Sequence, residues 1–210
     1  MYIKPHEVEL EVVYKILIGS VLPRPIAWVS STNKSGINNL APFSFFNVVS
    51  SRPPILVFSP GLKAVRNGEG QLETVAKDTL VNIKDRGEFV VNVVSRQLAE
   101  KMNQTSANYP PDVSEFEEAG LSATASHVVS VPRVGEALIS MECKLQQVIE
   151  FGQHLGAGNL VIGEIVCFHL DESVYKDGYV DVAVLQPVGR LAGVEYCGIN
   201  DKFEIPRPTF

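Results

Sequence analysis

The first part of the chain combines one helical pattern with strand-like runs. Apolar residues at helical spacing predict an amphipathic helix over residues 7–18, stopped by Gly19, with an apolar face made of Leu10, Val13, Tyr14 and Leu17. Two prolines then end the helical pattern, and residues 26–32 form a β-prone run. The polar sequence 33–36 is typical of a turn, so a hairpin is predicted between this run and residues 38–47.

The middle of the chain alternates strands with short helices. Residues 55–59 and 88–94 are predicted to be buried strands. Between them, Asp78 is a candidate cap for a helix over residues 79–86, which Gly87 would end. A second helix is predicted over residues 96–103, followed by a loop over 104–112 and one helical turn, where Ser114 and Glu117 fit a capping box.

The last third of the chain is mainly strand. Residues 162–170 form one predicted strand, and another has a regular alternation of apolar with polar positions at Ile139, Met141, Cys143 and Leu145. The glycine-rich residues 152–159 lie between the two. Several strands with few, short helices favour an antiparallel barrel or sandwich over a parallel sheet. The predicted fold class is therefore mainly β with short peripheral helices, in a single domain over residues 1–210.

Composition and charge exclude several classes of partner. The 210 residues are 45% hydrophobic and 20% charged, as in ordinary soluble globular proteins. The net charge is −6, and the 18 basic residues are scattered, which argues against nucleic acid. No run approaches the roughly 18 apolar residues of a membrane span, so we expect no membrane partner and a cytoplasmic location. Three cysteines without a CxxC pair are typical of reduced cytosolic thiols.

The common catalytic and nucleotide-binding motifs are missing from the sequence. There is no P-loop, no GxSxG, no HExxH, and no carboxylate pair typical of a glycosidase. The glycines at 156 and 158 begin like a dinucleotide fingerprint, but a strand rather than a helix follows them. Cys167 and His169 would project from one face of a strand. Because no second pair of ligands accompanies them, we interpret them as a core cysteine beside a surface histidine, and no metal site is predicted.

The segment 38–47 carries the clearest chemical signal. It places amide and small residues beside three phenylalanines and a proline. A flat heteroaromatic ring needs such a mixture, because extended backbone supplies hydrogen bonds to its polar edge while apolar side chains cover its face. A hydrophobic strand that crosses the core is the simpler alternative.

Two other segments carry groups that suit a phosphate. Residues 30–32 offer three consecutive hydroxyls at the end of a strand. Residues 77–79, Lys-Asp-Thr, offer a cation and a hydroxyl at a predicted helix N-terminus, where anions bind well. Either segment alone is ordinary solvated surface, and the combination with residues 38–47 is what favours a phosphorylated ligand.

Taken together, these motifs resemble the flavin reductase-like, FMN-binding split-barrel family, and within it the flavoredoxin-type branch. The resemblance extends over nearly the whole chain, in the expected order. It is carried by Pro23-Arg-Pro-Ile-Ala-Trp-Val-Ser-Ser-Thr32, Asn39-Leu-Ala-Pro-Phe-Ser-Phe-Phe-Asn47, Lys77-Asp-Thr79, Asn82-Ile83, Gly87-Glu-Phe-Val-Val-Asn92, Ser114-Glu-Phe116, Glu142-Cys143, Gly163-Glu164 and Pro187-Val-Gly-Arg-Leu-Ala-Gly193. One departure is Ala192, where the branch commonly has a second glycine.

The resemblance implies a split β-barrel, usually a homodimer, with FMN near the subunit interface. It implies ribityl or phosphate contacts for Ser30, Ser31 and Thr32. The residues that would run along the isoalloxazine ring are Asn39, Leu40, Ala41, Pro42, Phe43 and Ser44. The phosphate side would be completed by Ser59, Lys77, Asp78 and Thr79. Arg190 would approach the flavin or the partner subunit.

The function that the resemblance implies is electron transfer from NAD(P)H through FMN to free flavin or another acceptor. The flavin performs the redox step, so no catalytic side chain is predicted. Three alternatives stay open: a non-catalytic FMN electron carrier of the flavoredoxin type, a split barrel that binds another cofactor such as haem or a deazaflavin, and an interaction protein whose flavin site has decayed. The sequence also leaves open NADH against NADPH, the acceptor, and whether FMN is substrate or prosthetic group.

Overall fold

A computed structural model describes residues 1–66, 68–199 and 201–209 of the chain. The α-helices are α1 (Leu10–Ser20), α2 (Asp78–Arg86), α3 (Ala99–Gln104), α4 (Glu115–Glu118) and α5 (Val182–Leu185). The strands are β1 (Ala27–Thr32), β2 (Asn38–Phe43), β3 (Phe46–Ser51), β4 (Pro54–Phe58), β5 (Lys63–Arg66), β6 (Leu72–Val75), β7 (Glu88–Val93), β8 (Ala123–Thr124), β9 (Arg133–Val134), β10 (Ile139–Glu150), β11 (Asn159–Leu170), β12 (Tyr175–Lys176), β13 (Tyr179–Val180), β14 (Val188–Arg190) and β15 (Tyr196–Gly198). Short 3₁₀ turns cover Pro5–Glu7 and Arg96–Leu98.

The main sheet is antiparallel and curls into a barrel. Among the described residues its strand order is β2-β1-β7-β10-β11-β4-β3. Phe43, on the first strand of this order, packs against Phe58 near the other end, with ring centroids 5.3 Å apart. Phe58 in turn meets Phe89 of β7 at 5.5 Å. Contact between strands from opposite ends of the order closes the sheet around a core, which confirms the predicted split β-barrel.

The barrel interior is filled by alternate residues of the strands and by one face of α2. Val29, Leu56 and Phe89 are fully buried there. Helix α2 adds Leu80 and Ile83 to the same cluster. Met141 and Cys143 of β10 also face this core, as the alternation over 139–145 predicts.

A second core lies on the other side of β1 and β2, under α3 and α4. Trp28 and Leu40 are fully buried in it, beside Met102 and Phe116 from the two helices. The Trp28 indole N–H donates to Thr105 Oγ1 at 2.9 Å, so its polar group is satisfied. This second core fixes β2 between the barrel and the helices, which determines where the edge of β2 is exposed.

Three local predictions are wrong. Helix α1 runs through Gly19 to Ser20 and buries Ile18, whereas Leu10 and Leu17 of the predicted apolar face are about half exposed. Asp78 is the first residue of α2 rather than its cap, since Lys77 occupies the cap position. The turn after residue 112 forms, but Ser114 caps α4 with no side-chain hydrogen bond.

The remaining predicted elements of the N-terminal half are present, including the hairpin of β1 with β2 and the end of α2 at Gly87. Gly87 has φ +73°, a left-handed conformation that glycine adopts without strain, and its N–H bonds the carbonyl of Ile83 at 2.8 Å. None of the helices in the described ranges has the length and apolar character that a membrane crossing requires.

Candidate functional site

A two-lobed cleft follows the outer edge of β2. Strand β2 ends the sheet order, so no further strand within the described residues pairs with this edge. A small lobe of about 100 Å³ lies between β2, the start of α2 and residues 105–109. A large lobe of about 460 Å³ lies between the end of β2, helix α1 and residues 190–196. Both lobes are bordered by Pro42, Lys77 and Ser106, so they lie side by side, and together they are called the cleft.

The backbone of β2 presents carbonyl groups to this cleft. The Leu40 N–H donates to Glu115 Oε2 at 2.9 Å and so points away from β1. Because groups alternate along a strand, the nitrogen of Pro42 also lies on the free edge, where a proline costs the sheet no hydrogen bond. Leu40 turns its side chain into the second core, while Ala41, Pro42, Phe43 and Ser44 border the cleft.

Two lysines give the small lobe its positive charge. Lys63 and Lys77 both border it, and Lys63 Nζ forms an ion pair with Asp78 at 2.8 Å. Lys77 is half-buried and takes part in none of the ion pairs found among the described residues. Burial, and next the charge of Lys63, lower the pKa of Lys77, whereas Asp78 opposes the shift. The Lys77 ammonium lies 5.6 Å from the centre of the Phe43 ring.

The N-terminus of α2 adds backbone donors beside Lys77. The N–H groups of Leu80 and Val81 bond the carbonyl of Lys77 at 2.9 and 3.2 Å. Those of Asp78 and Thr79 precede the first intrahelical bond and have no partner within the helix. A cation and the positive end of a helix therefore meet at one wall of the small lobe, which is suited to an anion.

Asn39 connects the cleft wall to three other elements. Its Oδ1 accepts from Thr79 Oγ1 at 2.8 Å and from Ser31 Oγ at 3.2 Å. Its Nδ2 donates to Glu115 Oε1 at 2.6 Å. Glu115 thus bonds the side chain of Asn39 and the backbone of Leu40 together. Burial raises the pKa of Glu115, and the hydrogen bonds from Leu40 and Asn39 only partly offset it.

The three hydroxyls at 30–32 lie behind this wall. All three residues are buried on β1 and border neither lobe. Ser30 Oγ donates to the carbonyl of Pro132 at 2.6 Å, and Thr32 Oγ1 donates to Asn38 Oδ1 at 2.8 Å. Ser59 is half-buried at the end of β4, also outside the linings of the two lobes. Direct contact of these four residues with a ligand stays a prediction.

Two arginines frame the large lobe. Arg24 is buried, and its guanidinium donates to the carbonyls of Ile18 at 2.7 Å and Leu191 at 2.8 Å, tying α1 to the segment after β14. Arg190 stacks on Tyr196 with 4.6 Å between the guanidinium carbon and the ring centre. It also hydrogen-bonds the Tyr196 hydroxyl and the carbonyl of Gly193. Arg190 therefore borders the cleft.

Some residues of the cleft were not singled out from the sequence. Arg24, Met102, Ser106, Tyr109 and Tyr196 border it, and Glu115 supports it. Arg24 and Glu115 belong to motifs that carry the family resemblance, but nothing in the local pattern indicates their role. The other residues come from segments distant in sequence, which only the fold brings to β2.

Comparisons with known proteins agree on the fold. The sequence profile of the flavin reductase like domain family matches residues 18–184. The protein YwrF of Bacillus subtilis is 44% identical over 200 residues, covering 93% of each chain. The structure of nitrilotriacetate monooxygenase component B from Bacillus cereus is similar with a TM-score of 0.90 and 40% identity, over 98% of each chain. The 2-nitrobenzoate 2-nitroreductase NbaA of Pseudomonas fluorescens has a TM-score of 0.84 and 36% identity, over 100% of this chain and 98% of that one.

Proposed function

The chain belongs to the flavin reductase-like family, and on this premise we propose that it holds FMN in the cleft along β2 and passes electrons from NAD(P)H to free flavin or another acceptor. The observation that carries the choice of a phosphorylated flavin is Lys77. It is a half-buried cation that lacks a carboxylate of its own among the described ion pairs, and it faces a cleft beside a helix N-terminus.

The small lobe fits a phosphate group. Lys77 would contribute its charge, and the first N–H groups of α2, from Asp78 and Thr79, would contribute hydrogen bonds. The Asp78 carboxylate is already paired with Lys63, so its negative charge is partly neutralised. An anion here would offset the repulsion between the two neighbouring lysines.

The large lobe fits a flat heteroaromatic ring. Its volume of about 460 Å³ lies within the range of about 300–1,000 Å³ for small-molecule sites. Tyr14 and Pro42 are at least partly exposed on its wall and can cover a ring face, while Ser44 and Arg190 offer polar groups. The carbonyls on the free edge of β2 can accept hydrogen bonds from a ring N–H.

Bound FMN supplies the redox chemistry, since a flavin accepts hydride from a nicotinamide and returns electrons to an acceptor. The protein's own residues bind and orient. Lys77 and α2 hold the phosphate, Glu115 and Asn39 fix the backbone of β2, and Arg24 fixes the far end of the cleft. Because the flavin supplies the redox chemistry, the protein needs no nucleophile or general base. The two similar structures named above are a monooxygenase component and a nitroreductase, which supports an oxidoreductase role for this chain.

We also propose that the chain forms a single domain, that it is located in the cytoplasm, and that two copies of it associate. Helix α1 exposes Leu17, and the neighbouring edge strand β3 exposes Val48 and Val49. An apolar groove of about 370 Å³ lies between these elements. Tyr14 and Ile18 of α1 also border the large lobe, so a second copy seated on this surface would lie beside the cleft.

The direct test is reduction of the protein-bound flavin. Purified protein titrated with FMN is expected to change the flavin absorbance and fluorescence, and NADH or NADPH added without oxygen is expected to bleach the bound flavin. Binding without bleaching by either nicotinamide would support the electron carrier instead. No binding of FMN would contradict the whole proposal.

A further inference from the structure

Three metal-ligating side chains meet on the outer face of the barrel. Glu142 of β10 and Cys167 and His169 of β11 bring their ligand atoms within 4.8 Å of one another, and no other such group occurs in residues 1–66, 68–199 and 201–209. Strand register explains the meeting. Glu142 pairs directly with Cys167, and His169 lies two residues further along the same face. Met141 and Cys143 point into the core, so Glu142 points out of it.

We propose that Glu142, Cys167 and His169 form a binding site for a divalent cation of the zinc type. Thiolate, imidazole and carboxylate are the three side-chain ligands that Zn²⁺ uses, whereas Mg²⁺ and Ca²⁺ disfavour sulfur. Tetrahedral ligands with bonds of about 2.0–2.3 Å lie about 3.3–3.8 Å apart. All three ligand atoms lie within 4.8 Å of one another, and His169 Nε2 and Glu142 Oε1, now 2.5 Å apart, must separate slightly to admit an ion. Cys167 and His169 are partly exposed, so water can reach the ion as a fourth ligand.

Hydrogen bonds orient the carboxylate of Glu142 in the absence of a metal ion. Glu142 is fully buried and accepts from the backbone N–H groups of His127 at 2.6 Å, Val128 at 2.6 Å and Val129 at 2.7 Å. Burial alone would raise its pKa, but these bonds and one from His169 lower the pKa of Glu142 to about 2. Outer hydrogen bonds of this kind orient the ligands of known metal sites.

The other two ligands must give up protons or hydrogen bonds. His169 Nε2 lies 2.5 Å from Glu142 Oε1, so the ring already faces the site and coordinates once its proton resides on Nδ1. Burial and the charge of Glu142 raise the pKa of the Cys167 thiol. Metal binding therefore forms the metal–sulfur bond and breaks the S–H bond, with release of that proton to solvent. One thiolate and one carboxylate then balance the two charges of the ion.

The structure changes the interpretation of Cys167. It is partly exposed rather than a core residue. The third ligand, Glu142, lies on the neighbouring strand, so the sequence pattern of β11 alone could not indicate it. A bound ion would join β10 to β11 and, through the donors on Glu142, to residues 127–129. Glu142, Cys167 and His169 line neither lobe of the cleft along β2, so the test of this site does not rely on flavin binding.

Calorimetric titration of the chelator-treated full-length protein with Zn²⁺ tests the site. The wild type is expected to bind one ion, and C167S and H169Q are expected to bind it at least about tenfold more weakly. C197S is the matched control, because Cys197 is also a partly exposed thiol on a strand. Glu142 is left intact, since its loss would release the backbone of residues 127–129.

Thiol labelling gives a second readout that does not depend on the variants. Zn²⁺ is expected to slow the alkylation of Cys167 by at least about tenfold, while Cys197 in the same molecule stays equally reactive. Alkylation of Cys167 at an unchanged rate, or zinc binding by C167S as tight as that of the wild type, would overturn the proposal.

Discussion

Lys77 holds its charge under unfavourable conditions. Burial and the proximity of Lys63 both favour the neutral amine, and Asp78 and the Phe43 ring at 5.6 Å compensate only in part. A bound anion would therefore stabilise the charged form of this lysine more than that of an exposed lysine. This environment supports the proposed role of Lys77 in binding an anion.

The lowered pKa of Lys77 predicts how flavin binding depends on pH. The ammonium loses its proton at a lower pH than an ordinary lysine, so the affinity for FMN is expected to fall on the alkaline side. K77R is expected to flatten this fall, because a guanidinium stays protonated. Titrations of FMN across the alkaline range check this, with K84R on the exposed end of α2 as control. A wild-type profile as flat as that of K77R would count against the assignment.

Glu115 acts on the cleft through Asn39 and Leu40. It is 5% exposed, yet both of its oxygens are used, one by an amide side chain and one by the backbone of β2. Its raised pKa means that the folded protein retains this proton to higher pH than the unfolded chain does. The corresponding contribution to folding stability is present below the ordinary pKa and is lost as pH rises through the folded value.

Replacing Glu115 with Gln is expected to cost about 1–3 kcal/mol in hydrogen bonding, because an amide has one acceptor oxygen for two buried donors. The removal of a buried charge offsets part of this cost, so the net loss of stability is expected to be largest where the wild-type carboxyl is protonated. The substitution is also expected to weaken FMN binding and to remove the acid-side pH dependence of stability. Urea unfolding at several pH values checks this. E117Q, on the same turn but at an exposed position, is the control. Equal stability of E115Q and E117Q would show that the hydrogen bonds from Asn39 and Leu40 to Glu115 do not stabilise the fold.

At the scale of elements, close packing between β7, β10 and β11 depends on one glycine. A Cβ atom at Gly163 would lie 2.4 Å from Phe89 Cζ and 3.5 Å from Cys143 Cβ. Phe89 is fully buried and packs edge-on against Phe58, so it has little room to move. The glycine is needed here for space and not for its backbone conformation.

G163A is expected to destabilise the barrel by about 1–3 kcal/mol through overpacking. For a domain of this size each kcal/mol lowers the Tm by about 2–4 °C. G61A is the matched control, since its new Cβ would meet only the Ala157 carbonyl, at 3.9 Å. Thermal unfolding that is the same for both variants would mean that Phe89 relaxes without cost.

Local elements follow from the sequence better than their partners do. The alternation at 139–145 fixes which face of β10 enters the core, and a polar turn fixes the β1–β2 hairpin. The buried face of α1 was predicted wrongly, because the described part of the chain buries only Ile18 of this helix and leaves Leu10, Tyr14 and Leu17 about half exposed. Periodicity reports that a face is apolar but does not report what covers it.

At the scale of the whole molecule, the exposed apolar surface of α1 and β3 predicts a dimer. Light scattering is expected to give a mass of twice 23.0 kDa for the wild type. L17E and V48E, which place charges on this surface, are expected to shift the mass toward that of one chain. Y179E, at a residue that is 79% exposed on β13, should leave the mass unchanged. A monomeric wild type would contradict the proposed association.

The site was predictable only in part. Lys77, Thr79 and residues 41–44, for which the family resemblance implies contacts with FMN, border the cleft, and the contacts themselves stay a prediction. Glu115 lies 76 positions from Asn39, and Arg24 lies 167 positions from the Leu191 carbonyl it binds. Such contacts depend on how β2 is placed between the two cores. No local pattern encodes that placement, so these supporting residues become visible only in the fold.

Lys77 and the start of α2 are proposed to hold the phosphate of FMN. Fluorescence titration of the wild type and K77A with FMN and with riboflavin tests this proposal most directly, because riboflavin has the same ring and no phosphate. K77A is expected to weaken FMN binding by about 10–100-fold, the value of a charge-assisted hydrogen bond of about 1.5–3 kcal/mol, and to leave riboflavin binding unchanged. Equal loss for both flavins, or no loss for either, would contradict the claim.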